Sequence, residues 1–237
     1  LTDSEFKRIR SEILANTKTP FEAAKWLRGE KGKCSVVLER DNGLGRIELI
    51  IYSSIEKNGG FSSYEIVHQI AKNKSNLEER SRRFDITLLI GGLPIIQIEL
   101  KTAIAKDGVK QAYYQIEKYI DEGTFSNTIF QTLQLYVMSN EQTTRYMAAA
   151  PKGELQDKFM FGWRTRDNTR VENINEFAKQ VLNIPRAHEL VSEYMILSEE
   201  VSSKILMVLH PYQIHAIEAI FEAASKHQSG YIWHATG

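Results

Sequence analysis

The segment Arg82–Ala103, RRFDITLLIGGLPIIQIELKTA, holds two apolar runs on either side of a Gly-Gly-Leu-Pro break. Successive side chains of a strand point to opposite faces. The runs therefore read as a hairpin that buries Phe84, Ile86, Leu88 and Ile90 together with Ile96, Ile98 and Leu100. The other face carries Asp85 and Thr87 on one strand and Gln97, Glu99 and Lys101 on the next. Asp85 stands directly opposite Glu99 if the connection has an odd number of residues, such as Gly91–Leu93. Opposed like charges in a sheet cost roughly 0.2–1 kcal/mol at a wet surface, and more once desolvated. A chain that keeps such a pair is expected to hold something positive between its members.

A divalent cation with oxygen ligands suits that position. Mg²⁺ typically takes one or two carboxylates, keeps several waters and completes its shell from substrate phosphate. Lys101, on the same face, can orient or help deprotonate an attacking water and offset charge on a pentavalent phosphate. An Asp…Glu-x-Lys arrangement across a hairpin is thus suited to phosphodiester hydrolysis. The plain alternative is an edge hairpin whose outer face lies in water. The segment DGVKQAYYQIEKYIDEG reads as a helix capped by Asp107 and stopped at Gly123, with Ala112, Ile116 and Ile120 facing inward. Gln115 and Tyr119 are helical neighbours, placed either to reach a phosphate or position Lys101, or simply to be solvated.

Elsewhere the pattern alternates helices and strands. Helices are expected over residues 3–15, capped by Asp3 or Ser4, and from Thr19-Pro20 onward. CSVVLERDNGLGRIELIIYSS reads as two strands about Asp41-Asn42-Gly43, and SSYEIVHQIAK as a strand with His68 partly buried. FQTLQLYVMSN, TRYMAAA and residues 158–165 read as strands. NINEFAKQVLN and RAHELVSEYMIL read as helices around Pro185. Beyond about residue 198 come a short apolar strand, a Pro-Tyr-Gln turn, a helix and a final strand, GYIW.

Lys+Arg and Asp+Glu are 30 each, so net charge neither argues for nucleic acid nor excludes it. The single cysteine, Cys34, excludes a disulfide framework and fits a reducing cytoplasm. It reads as a structural residue. No apolar run approaches the ~18 residues needed to span a bilayer. The absence of an initiator Met suggests an excised piece.

RRFDITLLIGGLPIIQIELKTA, then QIEKY, then LQLYVMSNEQTTRYMAA resemble the N-terminal nuclease region of the motor (R) subunits of type I restriction–modification enzymes. The resemblance runs from about residue 60 to the C-terminus. It implies an α/β PD-(D/E)xK core, a mixed central sheet flanked by helices, over residues 1–197. It also implies the first elements of a superfamily 2, RecA-like helicase domain over 198–237. Asp85 and Glu99 would bind Mg²⁺, Lys101 would be the catalytic lysine, and Gln115 and Tyr119 the accessory pair. Phe84 stands where the wider superfamily often has Pro. That superfamily often adds a helix acid, for which Glu12 and Glu22 are candidates. HPYQ is similar to an adenine-recognising Gln motif, with Gln213 as its reader, so ATP would serve the full-length protein. GYIWHATG resembles the approach to a phosphate loop, and the Gly-Lys-Ser/Thr of that loop is not in this sequence. No useful ATP binding is therefore expected of this stretch alone. Implied partners are double-stranded DNA and the methyltransferase (M) and specificity (S) subunits. Lys72, Lys74, Arg80, Arg82 and Arg83 are candidate DNA contacts, with Arg164 and Arg166 as further ones, and Trp163 is expected in the core. Two other readings stay open: a non-catalytic docking module that joins motor to methyltransferase, and a PD-(D/E)xK nuclease of another helicase-fused repair enzyme.

Overall fold

The computed structural model describes residues 1–56, 62–72 and 82–233. Two helices open the chain, α1 (Asp3–Asn16) and α2 (Pro20–Arg28), followed by a hairpin of β1 (Lys33–Glu39) and β2 (Arg46–Ser53). Next come β3 (Tyr64–Lys72), β4 (Arg82–Ile90), β5 (Leu93–Leu100), α3 (Gly108–Asp121), β6 (Leu135–Ser139) and β7 (Thr144–Ala148). These five strands form one sheet in the order β3-β4-β5-β6-β7. All neighbours are antiparallel except β5 and β6, which are parallel. A second hairpin joins the two-residue strands β8 (Trp163–Arg164) and β9 (Arg170–Val171). Then follow α4 (Ile174–Phe177), α5 (Arg186–Ser192), the hairpin β10 (Met195–Glu199) with β11 (Lys204–Val208), and α6 (Pro211–Ser225). The class is α/β with a mixed central sheet. Among the described residues no helix is long and apolar enough to cross a membrane.

Strand alternation sorts the interior into two cores. Leu88, Ile90, Ile96, Ile98, Leu135 and Val137 pack with α1, α2, β1 and α5 in the larger one. Tyr136 and Met138, on the opposite face of β6, pack with Ala112, Ile116 and Tyr119 of α3 in the smaller one. Phe84 is buried as expected but joins this smaller core, edge-on to Tyr119 at 5.1 Å between ring centroids.

The connection in the central hairpin differs from the expected three residues. Gly91 and Gly92 alone form the turn, with Ile90 paired to Leu93. Both have positive φ, 60° and 78°, the conformation that lets a two-residue connection match strand twist. The odd residue comes instead from a bulge. Leu89 pairs with Pro94 and Leu88 with Ile96, so Ile95 is unmatched. Ile95 and Ile96 therefore both reach the larger core. Beyond the bulge, Thr87 faces Gln97 and Ile86 faces Ile98, which makes Asp85 and Glu99 the next residue on each strand.

Several local expectations are corrected. Thr2, not Asp3 or Ser4, caps α1, through a capping box with Glu5. Buried Glu5 also takes the Arg40 guanidinium, which holds its carboxyl down at about 2. Asp107 occupies the cap position of α3 in the left-handed region and makes no side-chain cap bond. His68 is exposed rather than partly buried, because β3 is an edge strand with one face outside; Ile66 is exposed too. The stretch 158–165 is mostly a turn and a single bridge at Phe161 before the short β8. The second half of NINEFAKQVLN continues α4 as a wider-wound turn over Ala178–Leu182. RAHELVSEYMIL is helical only to Ser192; its end, from Met195, pairs with β11. The expected boundary at 197/198 consequently falls inside β10, and Leu206, Val208 and Ile214 pack into the larger core. Residues 230–233 of the expected last strand form no strand. Tyr231 and Trp233 are exposed there, and a strand needs a neighbour to satisfy its backbone.

The turn makes a direct test. A Cβ on Gly91 would lie 2.5 Å from the Ile51 carbonyl oxygen, whereas one on Gly92 meets nothing within 4 Å. Both substitutions pay for positive φ, and only Gly91→Ala adds a backbone collision. Gly91→Ala is expected to lower unfolding free energy by about 2 kcal/mol or more and Gly92→Ala by about 1 kcal/mol. Urea midpoints of the two variants measure this; equal losses would contradict the turn geometry.

Candidate catalytic and metal-binding site

The polar face of β4 and β5 is covered, not wet. β5 and β6 are parallel, so the chain between them must cross over the sheet, and α3 is that crossover, packed on both strands. It lies on the face shared by Gln97, Glu99, Tyr136 and Met138. Glu99 is 1% exposed, and Thr87 and Gln97 are 0% exposed. The edge-hairpin alternative, with these groups in water, does not describe this arrangement.

Asp85 and Glu99 come together. Their side chains are close enough for one to hydrogen-bond the other, and the Asp85 charge raises the pKa of Glu99. Asp85 Oδ2 accepts a hydrogen bond from the Leu100 backbone N–H at 2.9 Å, reaching across to β5. Glu99 Oε1 accepts from the Gln97 amide at 3.0 Å. Each carboxylate is thus pinned through one oxygen. Desolvation is the largest influence on Glu99, followed by Asp85, and together they push its pKa up to about 8. Lys101 opposes them; its charge lowers the pKa of Glu99. The backbone N–H of Lys101 bonds the Ser139 carbonyl at 2.8 Å, which extends the β5–β6 pairing to the lysine.

The α3 pair is present as well. Tyr119 is buried, and its hydroxyl donates to the Arg83 carbonyl at 2.9 Å. Burial and then the charges of Glu99 and Asp85 raise its pKa, while Arg82 and the Gln115 side chain lower it. Gln115 lies close enough to hydrogen-bond that phenol. The five residues read from the sequence, Asp85, Glu99, Lys101, Gln115 and Tyr119, therefore meet on one face.

Other candidates lie elsewhere. Glu12 influences Cys34 and Glu22 sits in the first turn of α2; the groups that shift Glu99 are Asp85, Lys101 and Gln97, with neither of these acids among them. Among the described residues, no group of three or more His, Cys, Asp or Glu could hold a metal ion. Cys34 is buried, and its thiol is pushed up to about 12, mainly by desolvation; that suits packing and not nucleophilic chemistry. Arg82 is paired with Glu122, and Arg83 is exposed and bonds Gln69. Lys74 and Arg80 lie outside the described residues, as does the side chain of Lys72. Trp163 is in the core. Arg164 binds the Asn168 carbonyl, and Arg166 pairs with Glu218 and Glu222 of α6. Both arginines line a cleft with Arg145, Phe161, His210 and Tyr212. Gln213 is not among the residues lining that cleft; its side chain folds back to accept from the His210 backbone N–H in a capping box. Sequence reasoning passed over Thr87 and Gln97 as chemistry. Their place on the polar face was visible, and their full burial was not.

The raised Glu99 pKa has a signed consequence. An unfolded glutamate loses its proton near pH 4.5, and the folded one holds it to about 8. Between those values the unfolded state binds fewer protons, so metal-free stability falls as pH rises. Glu99→Gln removes this slope. In EDTA, the wild-type melting temperature is expected to drop from pH 5 to pH 8, and that of Glu99→Gln to change much less. The difference at pH 8 is on the order of a few kcal/mol. Parallel pH profiles would overturn the assignment.

The family model described as "Type I restriction enzyme R protein N terminus" matches residues 1–154. The chain is 34% identical over 240 aligned residues to the type I restriction enzyme SsaAORF53P endonuclease subunit of Staphylococcus saprophyticus, covering all of this chain and 23% of that protein. It is 31% identical, with the same coverage, to the SauCOLORF180P endonuclease subunit of Staphylococcus aureus. It is 36% identical over 156 residues to the EcoprrI endonuclease subunit of Escherichia coli, covering 64% of this chain and 48% of that one. The chain thus spans about a quarter of the length of its full-coverage staphylococcal relatives. With a family match over most of its length, the chain belongs to the type I restriction enzyme R proteins, as their N-terminal region.

Proposed function

We propose that this chain is a Mg²⁺-dependent DNA endonuclease module of the PD-(D/E)xK type, working within a type I restriction enzyme. The observation that carries this reading is the close pair of buried Glu99 and half-buried Asp85, with Lys101 two residues further along β5's face and α3 closing over Glu99. The donor set fits a hard cation. It offers carboxylate oxygens on neighbouring strands and no nitrogen or sulfur ligand, which favours Mg²⁺ or Mn²⁺ over Zn²⁺. Neutralisation by protons or by a cation is what the mutual repulsion of the pair demands.

Asp85 and Glu99 would hold the ion, each through the oxygen its partner leaves uncommitted. When bound, the ion would polarise a phosphate oxygen and lower the pKa of a coordinated water. Lys101, as the ammonium, orients the attacking water and stabilises the negative charge of the pentavalent phosphate. The water oxygen forms a bond to phosphorus as the bond to the leaving oxygen breaks, and a proton goes to the leaving group. Gln115 and Tyr119 support Lys101 or the scissile phosphate from α3. Double-stranded, unmodified foreign DNA is the substrate in the cytoplasm, with recognition in the S subunit and methylation in the M subunit. In the same reading the motor region lies toward the C-terminal end, with Gln213 serving adenine recognition, and ATP-driven translocation licenses cleavage. Gln213 would have to leave its capping bond with His210 to do so.

Mn²⁺ titration followed by electron paramagnetic resonance, together with plasmid nicking, tests the site. Wild type is expected to bind one or two ions. Glu99→Ala should lose metal affinity and nicking, whereas Lys101→Ala should keep metal affinity and cut nicking by about 100-fold or more. A wild-type chain that binds no metal, or nicking unchanged in both variants, would defeat the assignment.

A further inference from the structure

The Gln97 amide has one allowed orientation. Its Nε2 lies 3.3 Å from the Ile98 carbonyl oxygen and 3.0 Å from Glu99 Oε1. A backbone carbonyl only accepts, so the NH₂ end must be on that side. Oε1 of Gln97 then faces Thr87 Oγ1 at 2.7 Å, and the Thr87 hydroxyl must be the donor. Thr87 and Gln97 are wholly buried and are cross-strand partners in the pairing next but one to the acidic pair. No water competes for these bonds, and a buried amide left without its partners would be costly. The chain Thr87 → Gln97 → Glu99 is therefore a one-way line of donors that ends on Oε1 of the carboxylate.

We propose that Thr87 and Gln97 are positioning residues of the metal centre, a relay that clamps Glu99 through Oε1 and aims its other oxygen at the ion shared with Asp85. The proposal rests on the metal-binding reading of Asp85 and Glu99. The relay matches the way Asp85 is held, through Oδ2 by the Leu100 N–H. Both ligands are then limited to one free oxygen each, which suits a cation that keeps several waters. Carboxylate ligands depend on such supporting bonds, and losing one typically weakens metal affinity 10–100-fold. Thr87 does not touch the ion or the substrate; it acts by anchoring the Oε1 end of the amide whose Nε2 end the Ile98 carbonyl already turns toward Glu99. Without its hydroxyl the buried Oε1 loses its donor, and the amide shifts from the position in which Nε2 clamps the carboxylate.

The experiment measures Mn²⁺ affinity by paramagnetic resonance, and folding by circular dichroism in EDTA, for wild type, Thr87→Val, Thr87→Ser, Gln97→Met and Glu99→Ala. Thr87→Val and Gln97→Met change little volume, and each alone interrupts the relay, so either one that folds suffices to test it. About a tenfold or greater loss of Mn²⁺ affinity is expected in both, with an altered Mn²⁺ spectrum. Thr87→Ser, which keeps the hydroxyl, should bind as wild type does. The relay is overturned if Thr87→Val and Gln97→Met bind within twofold of wild type while Glu99→Ala abolishes binding. It is overturned equally if Thr87→Ser is as weak as Thr87→Val, because the hydroxyl then decides nothing. Wild type without metal binding, or Glu99→Ala binding as wild type does, removes the metal site itself and the relay with it.

Discussion

Repulsion between a buried carboxylate, Glu99, and its half-buried neighbour Asp85 dominates this fold's polar interior. Asp85 and Glu99 occupy adjacent strands beneath a helix, and Glu99 is held protonated there unless something positive offsets its burial and its neighbour. Each group around them answers that demand. The Leu100 N–H and the Gln97 amide supply fixed donors. Lys101 supplies positive charge along the same face. Protonation of Glu99 takes the role of counter-charge at neutral pH when no cation is present. A protein needing only stability would fill this place with apolar side chains. On the proposed reading, the retained acids trade stability for a position in which a cation and a phosphate would be held in a low-dielectric setting, where electrostatic catalysis is strongest.

The cover over the acids follows from strand direction. An antiparallel neighbour to β5 could have been reached by a tight turn, leaving this face open. The parallel pairing of β5 with β6 requires a crossover, and α3 as that crossover carries Tyr119 and Gln115 over Glu99. Tyr119 also ties α3 back to β4 through the Arg83 carbonyl. One topological choice thus buries Glu99 and brings Gln115 and Tyr119 beside the acids. It also separates the site from the larger core, which lies on the other face and involves α1, α2 and α5.

The C-terminal stretch obeys a different logic. β10 and β11 form their own hairpin, and Arg28 of α2 holds the Met195 carbonyl at 2.6 Å. The first turn of α6 is buried through Pro211 and Ile214. A boundary placed by the change in sequence pattern cuts this hairpin, because pattern registers element type and not which core an element joins. Arg145, Arg164 and Arg166 line the cleft beside α6, two of them neutralised by nearby glutamates. Of these, Arg166 is tied to α6 through Glu218 and Glu222, whereas Arg145 pairs with Glu172 and Arg164 bonds Asn168.

Which polar side chains share one face of the hairpin was legible in the residues alone. Period-two alternation placed Asp85, Thr87, Gln97, Glu99 and Lys101 together, and helical spacing placed Gln115 beside Tyr119; both periods are backbone geometry and need no tertiary information. The two-strand reading about Asp41–Gly43 and the Thr19 cap of α2 were legible for the same local reason. The path by which Asp85 meets Glu99 was not: turn length and bulge trade one residue for another, and only the packing of Ile95 into the larger core selects the bulge. Burial of Thr87 and Gln97 was equally hidden, since a polar residue on a strand reads as solvated until something covers it. That cover is set by the order of strands in the sheet, a long-range property in which β6 lies beside β5 and not beside β4. Local sequence determined which side chains share a face; tertiary packing alone decided that Thr87, Gln97 and Glu99 on it would be dry.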